Sequence, residues 1–401
     1  MATATRAPAV AAAAVRALAG PTARSSSRLA GRGAVTTRAD VARELAPLPV
    51  ATLVAAATTA SSTAAAADLW RAVGLAGARD DGQRAAAAAA LVDALAQAGP
   101  SYQLRYRLFA AVTPLVDGAA LRTVAAAIAR LPDSPPGHAL ARVATRGLAR
   151  NPAPAARLTL AGLVGAADAG TRLDAIRGLA LPAAGGPPAA TAAPMVTGDV
   201  SDAVDRALVT ALGGDAWPVI RQQAAAALGL RCQRPGPQAA LDRAIDADAH
   251  VPVRVEAVAA RAQCETPDLD RRLWALIDGQ APLPVRDRAL AAQADRPGTA
   301  APLVTRFSRW RGQAFSDDEA LRLAIRAATA LGQRGATEAG PALLAAARDT
   351  AFPELAAAAV QALGALGSAC PRDAPALLAR YAVGDDQALA LAAKGALARC
   401  R

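Results

Sequence analysis

The chain has 401 residues, 53% of them hydrophobic, which is ample for a buried core and far from a disordered composition. Aromatics make up only 3%, so the apolar content is mostly Ala, Leu and Val, the residues of closely packed helices. The formal net charge is +11, but Lys394 is the only lysine among 44 basic residues, and Arg6, Arg16, Arg24, Arg28, Arg32 and Arg38 fall in an acid-free opening stretch. The remaining body is close to balanced, which argues against a surface selected for nucleic acid or anionic lipid.

Residues 1–38 read as an Arg-rich arm. Signal peptide, transit-like segment, disordered arm and mis-assigned start all remain open, because the apolar "APAVAAAAV" (7–15) is interrupted by Pro8 and closed early by Arg16. From Ala39 onward apolar residues recur at helical spacing. Helices are expected at 39–47, 49–58, 62–76, 81–98, 102–115, 117–131, 136–149, 154–166 and 169–180. The breaks carry turn signals: "GP" at 99–100, "LPDSPPG" at 131–137 and "RNPAP" at 150–154. In "YQLRYRLF", Tyr102, Tyr106 and Phe109 lie at i, i+4, i+7 and are expected to face the core. No uncharged stretch is apolar and long enough to cross a bilayer.

The stretch 182–198 is rich in Pro and Gly, lacks periodicity and reads as a loop or linker. It divides the degenerate helical repeats of 39–181 from the regular array of 199–401. In that array Arg221 of "PVIRQQAAAALG" has counterparts at Arg254, Arg286 and Arg322, and more loosely at Leu355 and Ala390. The steps are 33, 32, 36, 33 and 35 residues. A period of this length with two helices per unit is the signature of a solenoid, in which each helix pair buries its apolar face on its neighbours. The fold class is therefore an all-α solenoid of stacked antiparallel helix pairs.

The pattern in "DAWPVIRQQAAAALG" (215–229) and "DAHVPVRVEAVAA" (248–260) resembles the HEAT repeat, in particular its short bacterial form, also found in phycobilisome lyases. The resemblance implies a structural ladder of Asp215, Arg221, Asp248 and Arg254 along the ridge between repeats. Other repeats depart from it: Gln280 and Ser316 stand six residues before Arg286 and Arg322, and Leu355 keeps Asp349 without the Arg.

The four cysteines, Cys232, Cys264, Cys370 and Cys400, close their repeats at equivalent places, in two neighbouring pairs separated by 32 and 30 residues. Two readings stand: two disulfides stapling adjacent repeats, each worth roughly 3 kcal/mol, or four small buried thiols. Stacked helices lie about 8–10 Å apart and a disulfide needs Cα atoms within about 7 Å. Staples therefore require the cysteines to sit where the chain leaves its helices. Paired cysteines favour a periplasmic or secreted protein, free ones a cytoplasmic protein.

No metal-ligand spacing, nucleotide loop or nucleophile constellation is present, so neither metal nor cofactor is expected. His138 and His250 read as solvated loop residues. "RFSRWRGQAF" (306–315) gathers Arg306, Arg309, Trp310 and Arg311 in an expected loop before "SDDE" (316–319), which reads as a capping box. That loop either binds a partner or tucks Phe307 and Trp310 under the solenoid. The function expected is a monomeric, non-catalytic scaffold that binds an unknown protein partner through a concave face. The rivals are an enzyme-accessory or lyase-like protein and Arg-mediated nucleic-acid binding, the latter disfavoured unless the arginines line one face.

Overall fold

A computed structural model describes residues 42, 43, 45–181, 198–296, 298 and 300–400. The expected arm at 1–38 and the Pro/Gly stretch 182–197 lie outside the described residues. Twenty α-helices and no strand are described. They are α1 (Val50–Thr58), α2 (Thr63–Arg79), α3 (Asp81–Gln97), α4 (Tyr102–Val112), α5 (Gly118–Ala129), α6 (Pro135–Leu148), α7 (Pro154–Leu163), α8 (Ala169–Ala180), α9 (Gly198–Gly214) and α10 (Pro218–Gly229). There follow α11 (Pro235–Ala247), α12 (Val251–Arg261), α13 (Leu269–Asp278), α14 (Leu283–Ala294), α15 (Ala301–Gln313), α16 (Asp318–Gln333), α17 (Gly340–Ala347), α18 (Pro353–Ala365), α19 (Ala374–Ala382) and α20 (Gln387–Arg399). The chain is an α-solenoid, as its period implied.

Local chemistry sets the helix starts. Ser62, Ser101 and Ser134 accept from the amides of Ala65, Leu104 and Gly137, and Asp168 and Asp386 accept from those of Thr171 and Leu389. Proline opens many of the others, including α10, α12, α14 and α18, where the first-turn amide has no intrahelical partner to lose. In "RNPAP" the buried Asn151 acts as a clip. Its Nδ2 donates to the Thr113 and Val116 carbonyls at 2.8 and 2.7 Å, and its Oδ1 accepts from the Ala153 amide at 2.9 Å.

The chain divides into two compact units, one ending at Ala240 and one beginning at Leu241, so the division falls inside α11. In the first unit each even-numbered helix packs on the next even one, from α2 to α10, and the odd-numbered helices α1 to α9 do the same. Those contacts continue across 182–197: α8 packs on α10 and α7 on α9. In the second unit the even row runs from α12 to α20, and each odd helix packs on the even helix that follows it from α13 on.

Glycine on an even helix marks where the next one crosses. A Cβ added to Gly74 (α2) would lie 2.8 Å from the Ala111 Cβ of α4. In the second unit one added to Gly332 (α16) would lie 2.6 Å from the Ala362 Cα of α18, and one on Gly364 would lie 2.5 Å from the Ala396 Cα of α20. This is the physical content of the recurring "ALG": only a hydrogen there lets two helix backbones touch. Gly332→Ala should therefore lower stability by about 1–3 kcal/mol, because overpacking outweighs the helix-propensity gain. Gly395→Ala, on the exposed side of α20 with nothing within 4 Å of the added carbon, should instead stabilise by about 0.5–1 kcal/mol. Urea midpoints of the two variants against the parent check both signs.

Candidate binding surface

The ladder residues of the first unit make two kinds of contact. Arg172 of α8 donates through Nε and Nη2 to both carboxylate oxygens of Asp215, at 2.7 and 3.1 Å, joining one helix pair to the next. Asp215 also accepts from the Trp217 amide at 2.9 Å, and Arg221 Nη1 donates to the Asp215 carbonyl at 2.7 Å. Burial pulls the Asp215 carboxyl upward. The hydrogen bonds from Arg172 and Trp217 and the charges of Arg172 and Arg221 outweigh that, holding it below the usual carboxylate range. In the second unit Asp248 Oδ1 accepts from the His250 amide at 2.8 Å, and Arg254 Nε donates to the Ile245 carbonyl at 2.7 Å.

A common role joins these arginines. Arg172, Arg221, Arg254 and Arg286 are each the fourth residue of an even helix. Each reaches a carbonyl at or just past the end of the odd helix before it: Ala166 and Ala167, Asp215, Ile245, and Ile277. The guanidinium thus satisfies orphan C-terminal carbonyls and meets the negative end of the helix dipole. Sequence reasoning missed Arg172, although "AGTRLDAIRGLA" places it in the same register.

The segment 306–315 is not a loop. It is helical through Gln313, because Leu303, Phe307 and Trp310 form an i, i+4, i+7 stripe buried in the second unit. Trp310 is therefore core. Arg306 lies 4.0 Å over the Trp274 ring and donates through Nε to Asp278 at 3.0–3.1 Å, and Arg309 Nη2 donates to the same carboxylate at 2.7 Å. Burial pushes the Asp278 carboxyl up, but the two arginines hold it below its ordinary value. Arg311 is half-buried on the same helix. Phe315, just past the helix, stays exposed and packs edge-on against Phe352 with centroids 4.6 Å apart. The cap of α16 is Asp317, which accepts from the Glu319 and Ala320 amides, rather than Ser316.

All four cysteines are oxidised, none remaining as a free thiol. Cys370 and Cys400 are disulfide-bonded with Cα atoms 5.4 Å apart, and both sit just past helical segments, where the chain can lean across. Cys232 and Cys264 are buried.

Other arginines are similarly committed. Buried Arg261 bridges Asp242 and Asp268, and Arg231 pairs with Asp205. His138, in the first turn of α6, contacts Asp133 at 2.6 Å and lies 3.8 Å from Asp168, in a small cleft that Thr171 also lines. Among the described residues no group of three His, Cys, Asp or Glu side chains could hold a metal ion, and no helix is long and apolar enough to cross a membrane.

Two larger clefts open on the even-numbered helices. In the second unit a cleft of about 530 Å³ crosses α14, α16 and the start of α18, lined by Leu283, Asp287, Arg322, Ile325, Arg326 and Glu354. Its charges are mixed: Arg326 donates to both Asp287 oxygens at 2.6 and 2.9 Å, which raises the Arg326 pKa. In the first unit a cleft of about 510 Å³ crosses α2, α4 and α6, floored by small and aliphatic side chains such as Gly74, Ala110 and Val143. Of the aromatic face expected to pack inward, only Phe109 is buried; Tyr106 lines this cleft and Tyr102 is 41% exposed beside it, their rings 6.1 Å apart.

Comparison with known proteins gives one family assignment. Residues 309–398, which span the end of α15 to α20, match the family model of HEAT repeats. No curated protein matches the chain. Among solved structures, an engineered protein from a structural genomics consortium is 18% identical with a TM-score of 0.35, covering 99% of this chain and 96% of that one. Human deoxyhypusine hydroxylase in complex with glycerol is also 18% identical, with a TM-score of 0.27, covering 78% of this chain and 95% of that one. Residues 309–398 thus match HEAT repeats, and the helix pairs described before them are packed in rows of the same kind.

Proposed function

We propose that this protein is a non-catalytic scaffold that holds a protein partner on surfaces built, in each unit, by its even-numbered helices. The observation that carries this reading is the placement of the two large clefts: in each unit the cleft crosses three successive even helices. Arg306, Arg309 and Trp310, which the sequence offered as a binding loop, are engaged in ion pairs or the core. Rows of stacked helices offer extended surfaces of this kind, suited to a polypeptide more than to a small substrate.

The test is site-specific photo-crosslinking on the full chain. A photoreactive residue placed at Thr329, which is exposed on α16 and lines the second-unit cleft, should capture a discrete protein from cell extract. The same residue at Thr305, exposed on the odd-row helix α15, should capture none. Capture from Thr305 alone, or from neither position, contradicts the proposal.

A further inference from the structure

The cleft across α2, α4 and α6 differs from its second-unit counterpart in its charge. It is lined by Arg71, Arg107 and Arg150, and by no acidic residue. None of these three guanidiniums makes an ion pair or a side-chain hydrogen bond among the described residues. Unlike other arginines without an ion pair, such as Arg105, Arg122 and Arg130, these three line one cleft. Arg71 and Arg107 are half-buried, so their partial desolvation is not offset by a counter-charge. Each of the three comes from a different part of the even row: Arg71 from α2, Arg107 from α4, Arg150 from just beyond α6. The floor between them is apolar, and Tyr106 and Tyr102 stand at one side.

We propose that this cleft binds an acidic, apolar-anchored peptide segment of a partner protein, in extended conformation. The inference rests on the scaffold reading and specifies one site on the surface of the first unit. Charge complementarity selects the occupant. Adjacent stacked helices are about 8–10 Å apart, and an extended chain of polyproline II type advances about 3.1 Å per residue with three residues per turn, so that every third side chain lies on one side. Carboxylates about three residues apart would therefore meet successive arginines, with apolar side chains between them on the Gly/Ala/Val floor. A cleft of about 510 Å³ is of the size that encloses a few side chains. Nucleic acid fits less well: one aromatic ring lines the cleft, whereas single strands are held by successive stacking platforms.

The experiment is fluorescence anisotropy on the full chain with a labelled synthetic peptide of about twelve residues, Glu at every third position and Leu or Val between. A peptide with Lys for Glu and an oligonucleotide of equal charge are the comparison probes. Two charge-matched variants separate the cleft from general basicity. Arg71→Glu with Arg107→Glu and Arg150→Glu alters the cleft, and Arg105→Glu with Arg122→Glu and Arg130→Glu alters arginines outside its lining. Saturable binding of the acidic peptide is expected, weakened at least about tenfold by the first set and less than about twofold by the second. The Arg→Gln set at the three cleft positions adds no repulsion and should weaken binding in the same direction, which covers a charge-swapped protein that fails to fold. Absence of saturable binding, equal loss from both sets, no loss from the cleft set, or tighter cleft-dependent binding of the Lys peptide or the oligonucleotide would overturn the proposal. Partner capture from Thr329 without acidic-peptide binding would overturn this cleft assignment alone and leave the scaffold reading in place.

Discussion

Trp310→Ala is expected to lower the stability of the chain by about 3–5 kcal/mol, the cost of removing a large ring from a site that cannot collapse around the void. The ring is 2% exposed and sits with Leu303 and Phe307 in the stripe by which α15 packs on α16 and α17. Arg309→Ala should cost no more than about 1 kcal/mol, because an exposed ion pair contributes little, and Arg311→Ala, which removes no ion pair among the described residues, should cost no more. A chemical-denaturation series on the three variants gives the contrast. Were Trp310 a binding anchor on a loop, the order would reverse: Trp310→Ala would leave the midpoint in place and abolish partner capture.

The second large effect is expected at the C-terminal end. The Cys370–Cys400 bond closes a loop of 30 residues that contains α19 and α20. Its removal is worth about 3 kcal/mol in the chain-entropy account. In a stack where each pair contacts only its neighbours, that loss falls on the terminal pair and not on the whole chain. The variant should carry Cys370→Ala and Cys400→Ala, since Cys400 is buried and a serine would leave a hydroxyl there needing a partner. Backbone amides of α20 should then exchange faster, while those of α14 keep their rates. The packing of α20 on α18 and α19 remains, including the Gly364–Ala396 crossing and the Arg399 Nε hydrogen bond to the Gly364 carbonyl at 3.2 Å. The helix should therefore fray without detaching. Unreduced protein should show no titratable thiol on denaturation, and four reactive thiols would contradict the oxidised state.

Much of the fold was legible because it rests on periodicity and punctuation. The expected helices at 81–98, 117–131, 154–166 and 169–180 coincide with α3, α5, α7 and α8 to within a few residues. Their starts are set by Asp, Pro and Gly, whose backbone preferences are local. The helix at 301–313 was not legible. Its three arginines and Gly312 mask the Leu303, Phe307, Trp310 stripe, and tertiary burial of that stripe decides the matter. The capping role of Arg172, Arg221, Arg254 and Arg286 was hidden for another reason. Their acceptors are backbone carbonyls, which carry no residue identity to read. The arginines of the first-unit cleft were least visible of all. Arg71, Arg107 and Arg150 lie 36 and 43 residues apart and carry no shared motif. Only the stacking of α2, α4 and α6 brings them around one cleft.

The central claim is that the even-numbered helices form the working surface of each unit. Hydroxyl-radical footprinting of the full chain, free and with its captured partner, reads side-chain accessibility on both rows at once. Tyr106 and Ile325 line the two clefts on the even row, and Leu158 is exposed on α7 of the odd row. The account predicts that partner binding reduces oxidation at Tyr106 or Ile325, or both, and leaves Leu158 unchanged. Protection of Leu158 with no change at either cleft residue would contradict it.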